Sequence, residues 1–375
     1  MKISAKRVLT PEGFLFDKVI HVENGMITGI GAPESADIVC DTAVPGFIDE
    51  HLHGGFGADV MHSDEETLLK WLEFLAQNGT TQVLSGVYTA PVPVMRKALE
   101  TAKNVMEMQK NGAKGARLTG IHLEGPFISK NAPGAMDIDS VIEPTIENYH
   151  AIADGYEDII RLITIAPENE GAHELAEYLA AKGIAVLAGH TAATAEEGEE
   201  AFRHGFGGIC HFFNASTPIR HRAPGILTEA LLEDPVYTEC ICDFVHVNRQ
   251  AVKLIYKVKG ADRMIVVSDA VSTTGLPDGI YGEGKDATVV KNGESRTLSG
   301  NLNGGGCVQL GEIRNLISAG IPEADAYKMA SETPAGFLRM PGGRLIPGAK
   351  AEIVCLKADG GVSCTVIGND VYEGL

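Results

Sequence analysis

The sequence predicts an α/β fold in which a (β/α)8 barrel carries a small β-sandwich domain built from both termini. The barrel is predicted because eight short apolar segments occur within residues 45–345, mostly with helical patterns between them. The small domain is predicted because residues 1–44 and 346–375 both consist of strand-like segments and turns. With 375 residues, 44% of them hydrophobic, the chain is long enough to bury both cores.

The small domain is indicated by alternating residues and by turn chemistry. Lys18–Glu23 alternates, Asn24 and Gly25 favour a tight turn, and Met26–Ile30 returns as the second strand of a hairpin. Near the C-terminus the strand-like segments are Ala351–Leu356, Val362–Ile367 and Asp370–Tyr372. The alternative is that the two ends are separate additions to a single domain.

The barrel strands are predicted from apolar runs, the first of which begins at Phe47 and leads into His51 and His53. The other seven runs are Thr81–Gly86, Leu118–Glu124, Ile159–Ala166, Ile184–His190, Gly208–Phe213, Tyr237–Asp243 and Met264–Asp269. Helical patterns cover Asp64–Asn78, Val94–Asn111, Ala172–Ala181 and Ala195–His204. A doubly wound sheet is the alternative, but no G-x-G-x-x-G opens a helix, and Gly304-Gly305-Gly306 follows no clear strand.

Charge and cysteine content narrow the class of protein. A net charge of -19 argues against nucleic acid or an anionic membrane as a partner, although a local basic pocket can still bind an anionic small molecule. The seven cysteines are scattered and form no C-x-x-C, so they suggest neither a disulfide framework nor a thiolate zinc site. The first residues lack a signal-peptide core, and no apolar run reaches membrane-spanning length. We therefore expect a cytoplasmic, soluble protein.

Histidines and acids cluster where the predicted strands end. Side chains two apart on a strand share a face, so His51 and His53 can reach one metal ion. The chemistry of a barrel lies at the C-terminal ends of its strands, where imidazole and carboxylate groups are suitable ligands for zinc. Each such residue has an ordinary explanation by itself, such as capping the next segment, but together they predict a metal site. The other strand-end residues are Glu124, His190, His211 and Asp269.

The runs around these residues match a known pattern. Pro45–Gly55 resembles the opening motif of the amidohydrolase superfamily, and His122–Phe127 resembles a metal-ligand motif of its N-acetylglucosamine-6-phosphate deacetylase family. Further similar runs follow in the family's order, so that the resemblance covers nearly the whole chain. They are Gly189–Thr191, His211–Ala215, His221–Gly225, Asp243–Val247, Ser268–Ala270 and Leu298–Gly300.

The resemblance implies specific roles. Glu124, His190 and His211 would hold a main divalent ion, with zinc expected, and His51 and His53 would allow a second, giving one or two ions per chain. Asp269 would act as the catalytic base and then as the acid. The substrate-binding residues would be Ala135, Asn214, Ala215, Arg222, His246, Leu298, Ser299 and Gly300. Arg222 and His246 would bind the phosphate, one of them supplied by the neighbouring subunit of a homodimer.

The predicted reaction is deacetylation of an N-acetylhexosamine 6-phosphate, with N-acetylglucosamine 6-phosphate as the expected substrate, to the amino sugar phosphate and acetate. One departure from the family is Met136, which stands where members have a histidine near the acyl carbonyl and cannot donate a hydrogen bond. Another is Asn301–Gly306, where the family has an apolar run.

Two other functions are compatible with the same sequence. The first is hydrolysis of a different amide, either another N-acyl sugar phosphate or a cyclic ureide; Arg222 and His246 favour a phosphorylated substrate. The second is a non-catalytic binding or assembly protein on the same fold. The complete set of candidate ligands, together with Asp269, argues against that second function.

Overall fold

An eight-stranded parallel barrel forms the centre of the molecule, as seen in a computed structural model that describes residues 1–282 and 287–375. Each barrel strand is hydrogen-bonded to the next along the chain, and each coincides with one segment predicted from the sequence. The first to eighth barrel strands are Phe47–Leu52, Thr80–Tyr88, Arg117–Glu124, Ile160–Ile165, Ala185–Ala188, Gly208–Ile209, Tyr237–Ile241 and Met264–Val267.

The eighth barrel strand meets the first and closes the barrel. The main-chain N–H of Asp269 donates to the carbonyl of His51 at 2.8 Å. The buried amide of Gln309 donates to the carbonyls of Ile48 and Val266, at 2.7 and 3.0 Å. One side chain thus satisfies carbonyls from both strands at the seam, as buried backbone groups require.

Helices surround the barrel and cover its apolar outer face. The four helices predicted from the sequence are Glu65–Gln77, Val92–Lys110, Ala172–Ala181 and Ala195–Arg203. The other α-helices described by the structure were not predicted from the sequence. They are Ile146–Ala153, Gly225–Leu232, Arg249–Lys259, Gln309–Ser318, Glu323–Met329 and Glu332–Phe337, with 3-10 turns at Ile138–Ser140 and Glu157–Ile159.

Small antiparallel elements lie in the loops that follow the first and eighth barrel strands. The strands Gly54–Gly55 and Ala58–Asp59 pair, and Gly279–Tyr281, Thr288–Lys291 and Glu294–Thr297 form a three-stranded sheet. The glycine run at Gly304–Gly306 lies against the eighth strand: the N–H of Gly305 donates to the carbonyl of Asp269 at 2.7 Å. A Cβ on Gly305 would lie 1.9 Å from the carbonyl oxygen of Ser268, so only glycine permits this approach.

Both termini contribute to one seven-stranded mixed sheet, which confirms the predicted fold class. Its strands are Lys2–Thr10, Gly13–Glu23, Met26–Gly31, Ile38–Pro45, Glu352–Leu356, Val362–Ile367 and Asp370–Glu373. The carbonyl of Ile27, on the edge strand Met26–Gly31, accepts from Gly348, which leads into Glu352–Leu356. The sheet therefore curls round a core of its own, which contains Ile3, Val8, Ile353 and Val366. The domain boundaries at residues 44 and 346 stay a prediction.

A second core is shared by the sheet and the barrel. Leu9, Val44 and Val354, on strands of the seven-stranded sheet, belong to the same buried cluster as Phe47 on the first barrel strand. Among the described residues, no helix combines the length and the apolar character needed to cross a membrane.

Candidate active site

The six strand-end residues singled out in the sequence lie together at one end of the barrel, and all six are buried. They are His51, His53, Glu124, His190, His211 and Asp269. Three of them have left-handed backbones, with φ of 45° for His190, 24° for His211 and 47° for Asp269. This conformation is unfavourable for residues other than glycine, and it is concentrated at functional sites where the surrounding structure enforces it.

Glu124, His190 and His211 form the first group of candidate ligands. Glu124 Oε1, His190 Nε2 and His211 Nε2 form a triangle with sides of 3.0 Å. His190 Nδ1 lies 3.2 Å from the carbonyl of Ala132, which only accepts, so Nδ1 carries the proton and the Nε2 lone pair faces the triangle. Ligands of a tetrahedral zinc lie roughly 3.3 Å apart, given bond lengths of about 2.0–2.1 Å, so these atoms fit one divalent ion.

His51, His53 and Asp269 form the second group of candidate ligands beside Glu124, with His51 Nε2 3.5 Å from Glu124 Oε1. His53 Nε2 lies 3.0 Å from Glu124 Oε2 and 3.4 Å from Asp269 Oδ1. His53 Nδ1 faces the carbonyl of Gly86 at 3.0 Å, so Nδ1 carries a proton and Nε2 is directed towards the carboxylates. His51 Nε2 is buried without a hydrogen-bond partner in the described part of the chain and lies 3.7 Å from Asp269 Oδ1. Carboxylate oxygens and imidazole nitrogens converge here, which is an arrangement that can hold a cation.

The electrostatics of the second group favour positive charge. Burial lowers the pKa of His53, but its hydrogen bonds with Asp269 and Glu124 outweigh burial and raise this pKa to about 10. Burial raises the pKa of Asp269, but the neighbouring imidazoles of His53 and His51 bring it below its usual value. The carboxylates of Glu124 and Asp269 therefore stabilise a positive charge beside them, whether an imidazolium or a metal ion carries it.

The structure adds three residues that sequence reasoning missed. Glu239, fully buried on the seventh strand, lies 2.9 Å from His51 Nδ1 and 3.1 Å from the main-chain N of His211. Gly86 is needed because a Cβ there would lie 2.4 Å from His53 Nδ1. Cys210 Sγ lies 3.6 Å from His51 Nδ1. Of these three residues, Glu239 could have been singled out from the sequence, because it is a charged residue within the strand Tyr237–Ile241.

Three of the predicted sugar-binding residues adjoin the first group. A Cβ on Gly134 would lie 2.9 Å from His190 Cε1 and 3.5 Å from the Cβ of Ala215, which places the neighbouring Ala135 beside the same ring. Asn214 donates its side-chain amide to the carbonyl of His211 at 3.2 Å. Met136 closes the turn of this loop through its N–H, which donates to Pro133 at 3.0 Å.

The predicted phosphate and pocket residues lie apart from the ligand groups: the His246 side chain is largely buried, whereas the other four residues are exposed. His246 is held by Asp243 Oδ2, 2.7 Å from its Nδ1, and Arg222 is exposed. Leu298, Ser299 and Gly300 lie on an exposed turn. Within residues 1–282 and 287–375, no hydrogen bond or ion pair joins any of these five to the metal-ligand groups. Their contact with substrate therefore stays a prediction.

Known proteins resemble this chain over almost its whole length. The amidohydrolase family model matches residues 42–371. The N-acetylglucosamine-6-phosphate deacetylase of Vibrio furnissii is 32% identical over 98% of this chain and 94% of its own length. The N-acetylgalactosamine-6-phosphate deacetylase of Escherichia coli O157:H7 is 31% identical over 94% of each chain.

Solved structures agree with the sequence relatives. The N-acetylglucosamine-6-phosphate deacetylase of Thermotoga maritima superposes with a TM-score of 0.90 at 31% identity and full coverage of both chains. A variant of the Mycobacterium smegmatis enzyme, solved in complex with N-acetyl-D-glucosamine-6-phosphate, superposes with a TM-score of 0.91 at 28% identity, covering 100% of this chain and 99% of its own. These matches confirm the resemblance seen in the sequence: the chain belongs to the amidohydrolase family and, within it, to the N-acetylglucosamine-6-phosphate deacetylases.

Proposed function

We propose that this amidohydrolase removes the acetyl group from N-acetylglucosamine 6-phosphate, giving glucosamine 6-phosphate and acetate. One observation carries the proposal: Glu124 lies between two groups of converging imidazole nitrogens, with Asp269 beside them. The relatives from Vibrio furnissii and Thermotoga maritima, both named for this reaction, support the choice of substrate.

Glu124, His190 and His211 would hold the main ion, with zinc expected, and His51 and His53 a second one. When bound there, a divalent ion would lower the pKa of a water molecule to about 7 and would polarise the amide carbonyl. Asp269 faces the same space as a carboxylate and accepts a proton from the attacking water. It then donates this proton to the amide nitrogen as the carbon–nitrogen bond breaks, so that acetate and the free amine leave.

Substrate positioning would fall to residues around this centre. Ala135, Asn214 and Ala215 lie on loops that adjoin His190 and His211, where the acetyl and sugar groups must sit. Leu298, Ser299 and Gly300 would complete the sugar pocket from their exposed turn.

Arg222 and His246 would bind the phosphate. Asp243 engages His246 Nδ1 and leaves Nε2 available, and the exposed Arg222 forms no ion pair with the described residues. A guanidinium matches phosphate geometry with two hydrogen bonds. We infer a homodimer in which one of these two residues reaches the phosphate of the neighbouring subunit.

We also infer a reducing, cytoplasmic setting. All seven cysteines are free thiols, and six of them are buried without pairing, as is usual where disulfides do not persist. This setting suits a phosphorylated sugar as substrate.

A second candidate substrate is N-acetylgalactosamine 6-phosphate. It is favoured by the Escherichia coli relative, whose name refers to that sugar. Met136 also makes the acyl end of the pocket different from that of the family, because a thioether cannot donate to a carbonyl.

The test is a comparison of three substrates with the purified chain: the two N-acetylhexosamine 6-phosphates and unphosphorylated N-acetylglucosamine. We expect the highest kcat/KM for N-acetylglucosamine 6-phosphate and a very low value for the unphosphorylated sugar. A higher kcat/KM for N-acetylgalactosamine 6-phosphate would favour that sugar as the substrate. Equal rates with and without phosphate contradict the phosphate roles of Arg222 and His246.

A further inference from the structure

Glu239 is a buried acid that the proposed reaction does not use. It lies on the seventh barrel strand with no exposed surface, and no lysine or arginine pairs with it in the described chain. Its Oε2 atom lies 2.9 Å from His51 Nδ1 and 3.1 Å from the main-chain N of His211. A buried carboxylate without a cationic partner is costly, so these two contacts must account for its presence.

The contact with His211 identifies the donor and the acceptor. A main-chain N–H can only donate, so Glu239 Oε2 accepts from it. The same oxygen faces His51 Nδ1, and the imidazole therefore carries its proton on Nδ1 and its lone pair on Nε2. That Nε2 is the buried, unpartnered nitrogen in the second group of ligands.

We propose that Glu239 is a positioning residue for the second ion, because it fixes His51 in the tautomer and orientation that a metal requires. A carboxylate that accepts a hydrogen bond from the other ring nitrogen of a metal-binding histidine orients the ring and increases its basicity. The contact with His211 joins Glu239 to the first group as well, but only through the main chain. Glu239 therefore affects the second ion more than the first. This inference rests on the two-ion capacity within the proposed function.

The test is the metal affinity of Glu239→Gln, measured by titrating Zn²⁺ into chelator-stripped protein and counting bound ions by elemental analysis. We expect the second ion to bind about 10–100-fold more weakly and the first ion to be retained. Glu352→Gln is the matched control, because Glu352 is a buried carboxylate of the small-domain sheet that accepts from Gln82 and does not contact the candidate ligands. It should bind both ions as the wild type does.

A second variant, Glu239→Asp, keeps the charge but shortens the side chain, so it should lose the contact with His51 and weaken the same ion. Circular dichroism of each stripped variant shows whether it is folded. If both folded variants bind two ions with wild-type affinities, the proposed role of Glu239 is wrong, but the proposed function is not affected. Equal weakening of both ions also overturns the role of Glu239. A wild-type titration that ends at one ion overturns this role together with the two-ion part of the proposed function, while leaving the one-ion deacetylase reaction intact.

Discussion

At the scale of single residues, the site depends on backbone positions as much as on the ligands themselves. His190, His211 and Asp269 occupy left-handed conformations at the ends of their strands. This turns each side chain towards Glu124, at a free-energy cost of the order of 1–3 kcal/mol per residue. Packing and hydrogen bonds elsewhere in the fold offset this cost.

Asp269→Asn should separate proton transfer from binding. The amide has the shape of the carboxylate but cannot accept the proton of the attacking water, so turnover should fall by about 10²–10⁴-fold. The first ion should remain, because Asp269 does not belong to the triangle of Glu124, His190 and His211. Steady-state kinetics and elemental analysis of one preparation check both points. Near wild-type turnover would mean that another group moves the proton.

Gly86→Ala should disturb the second group of ligands specifically. The new Cβ would lie 2.4 Å from His53 Nδ1 and 2.5 Å from its Cε1, so the ring must move. We expect the second ion to be lost or weakened, and the first to be retained, in a zinc titration. The adjacent variant Ser85→Ala provides the control, as it adds no atom. Unchanged binding of two ions by Gly86→Ala would show that His53 does not hold the second one.

At the scale of elements, the sequence predicted the strands because each barrel strand lies in a short, largely apolar run. Gly225–Leu232 was missed because it is apolar almost throughout and has no clear periodic stripe, whereas Arg249–Lys259 is amphipathic and could have been predicted. Glu239 was missed as a functional residue because its role depends on contacts with two other strands. A sequence pattern locates the residues at strand ends, but not the residues on other strands that contact them.

The helix Ala195–Arg203 offers an element-scale prediction. Thr194 accepts from the N–H of Glu197, whose side chain accepts from the N–H of Thr194, so the two residues form a capping box. Thr194→Ala should lower the free energy of unfolding by about 1 kcal/mol, measured by urea denaturation. Thr194→Ser keeps the hydroxyl and should lose only a few tenths of a kcal/mol. Equal losses in the two variants would exclude the cap as the cause.

At the scale of the whole molecule, the small sheet and the barrel share a core. Val354, on the sheet strand Glu352–Leu356, belongs to the cluster that contains Phe47 of the first barrel strand. Gln82 of the second barrel strand donates to Glu352 at 2.7 Å across the same boundary. These contacts predict that the two parts unfold together.

Val354→Ala should therefore destabilise the entire chain by roughly 2 kcal/mol, the cost of a small cavity in a packed core. The losses of circular dichroism and of acetate release should share one midpoint, shifted together. Val39→Ala, at a position 75% exposed on the same sheet, should leave the midpoint almost unchanged. Two separate transitions in Val354→Ala would show that the parts are independent.

The central claim is that an ion held at the strand ends supports amide hydrolysis. The most direct measurement is acetate release from N-acetylglucosamine 6-phosphate, together with metal content, in wild type, His190→Ala and His173→Ala. His173 is the matched control, because it lies on the helix Ala172–Ala181 outside the ligand groups. We predict that His190→Ala loses both metal and acetate release, whereas His173→Ala and the wild type keep both. Full acetate release from a His190→Ala protein without metal would contradict the account.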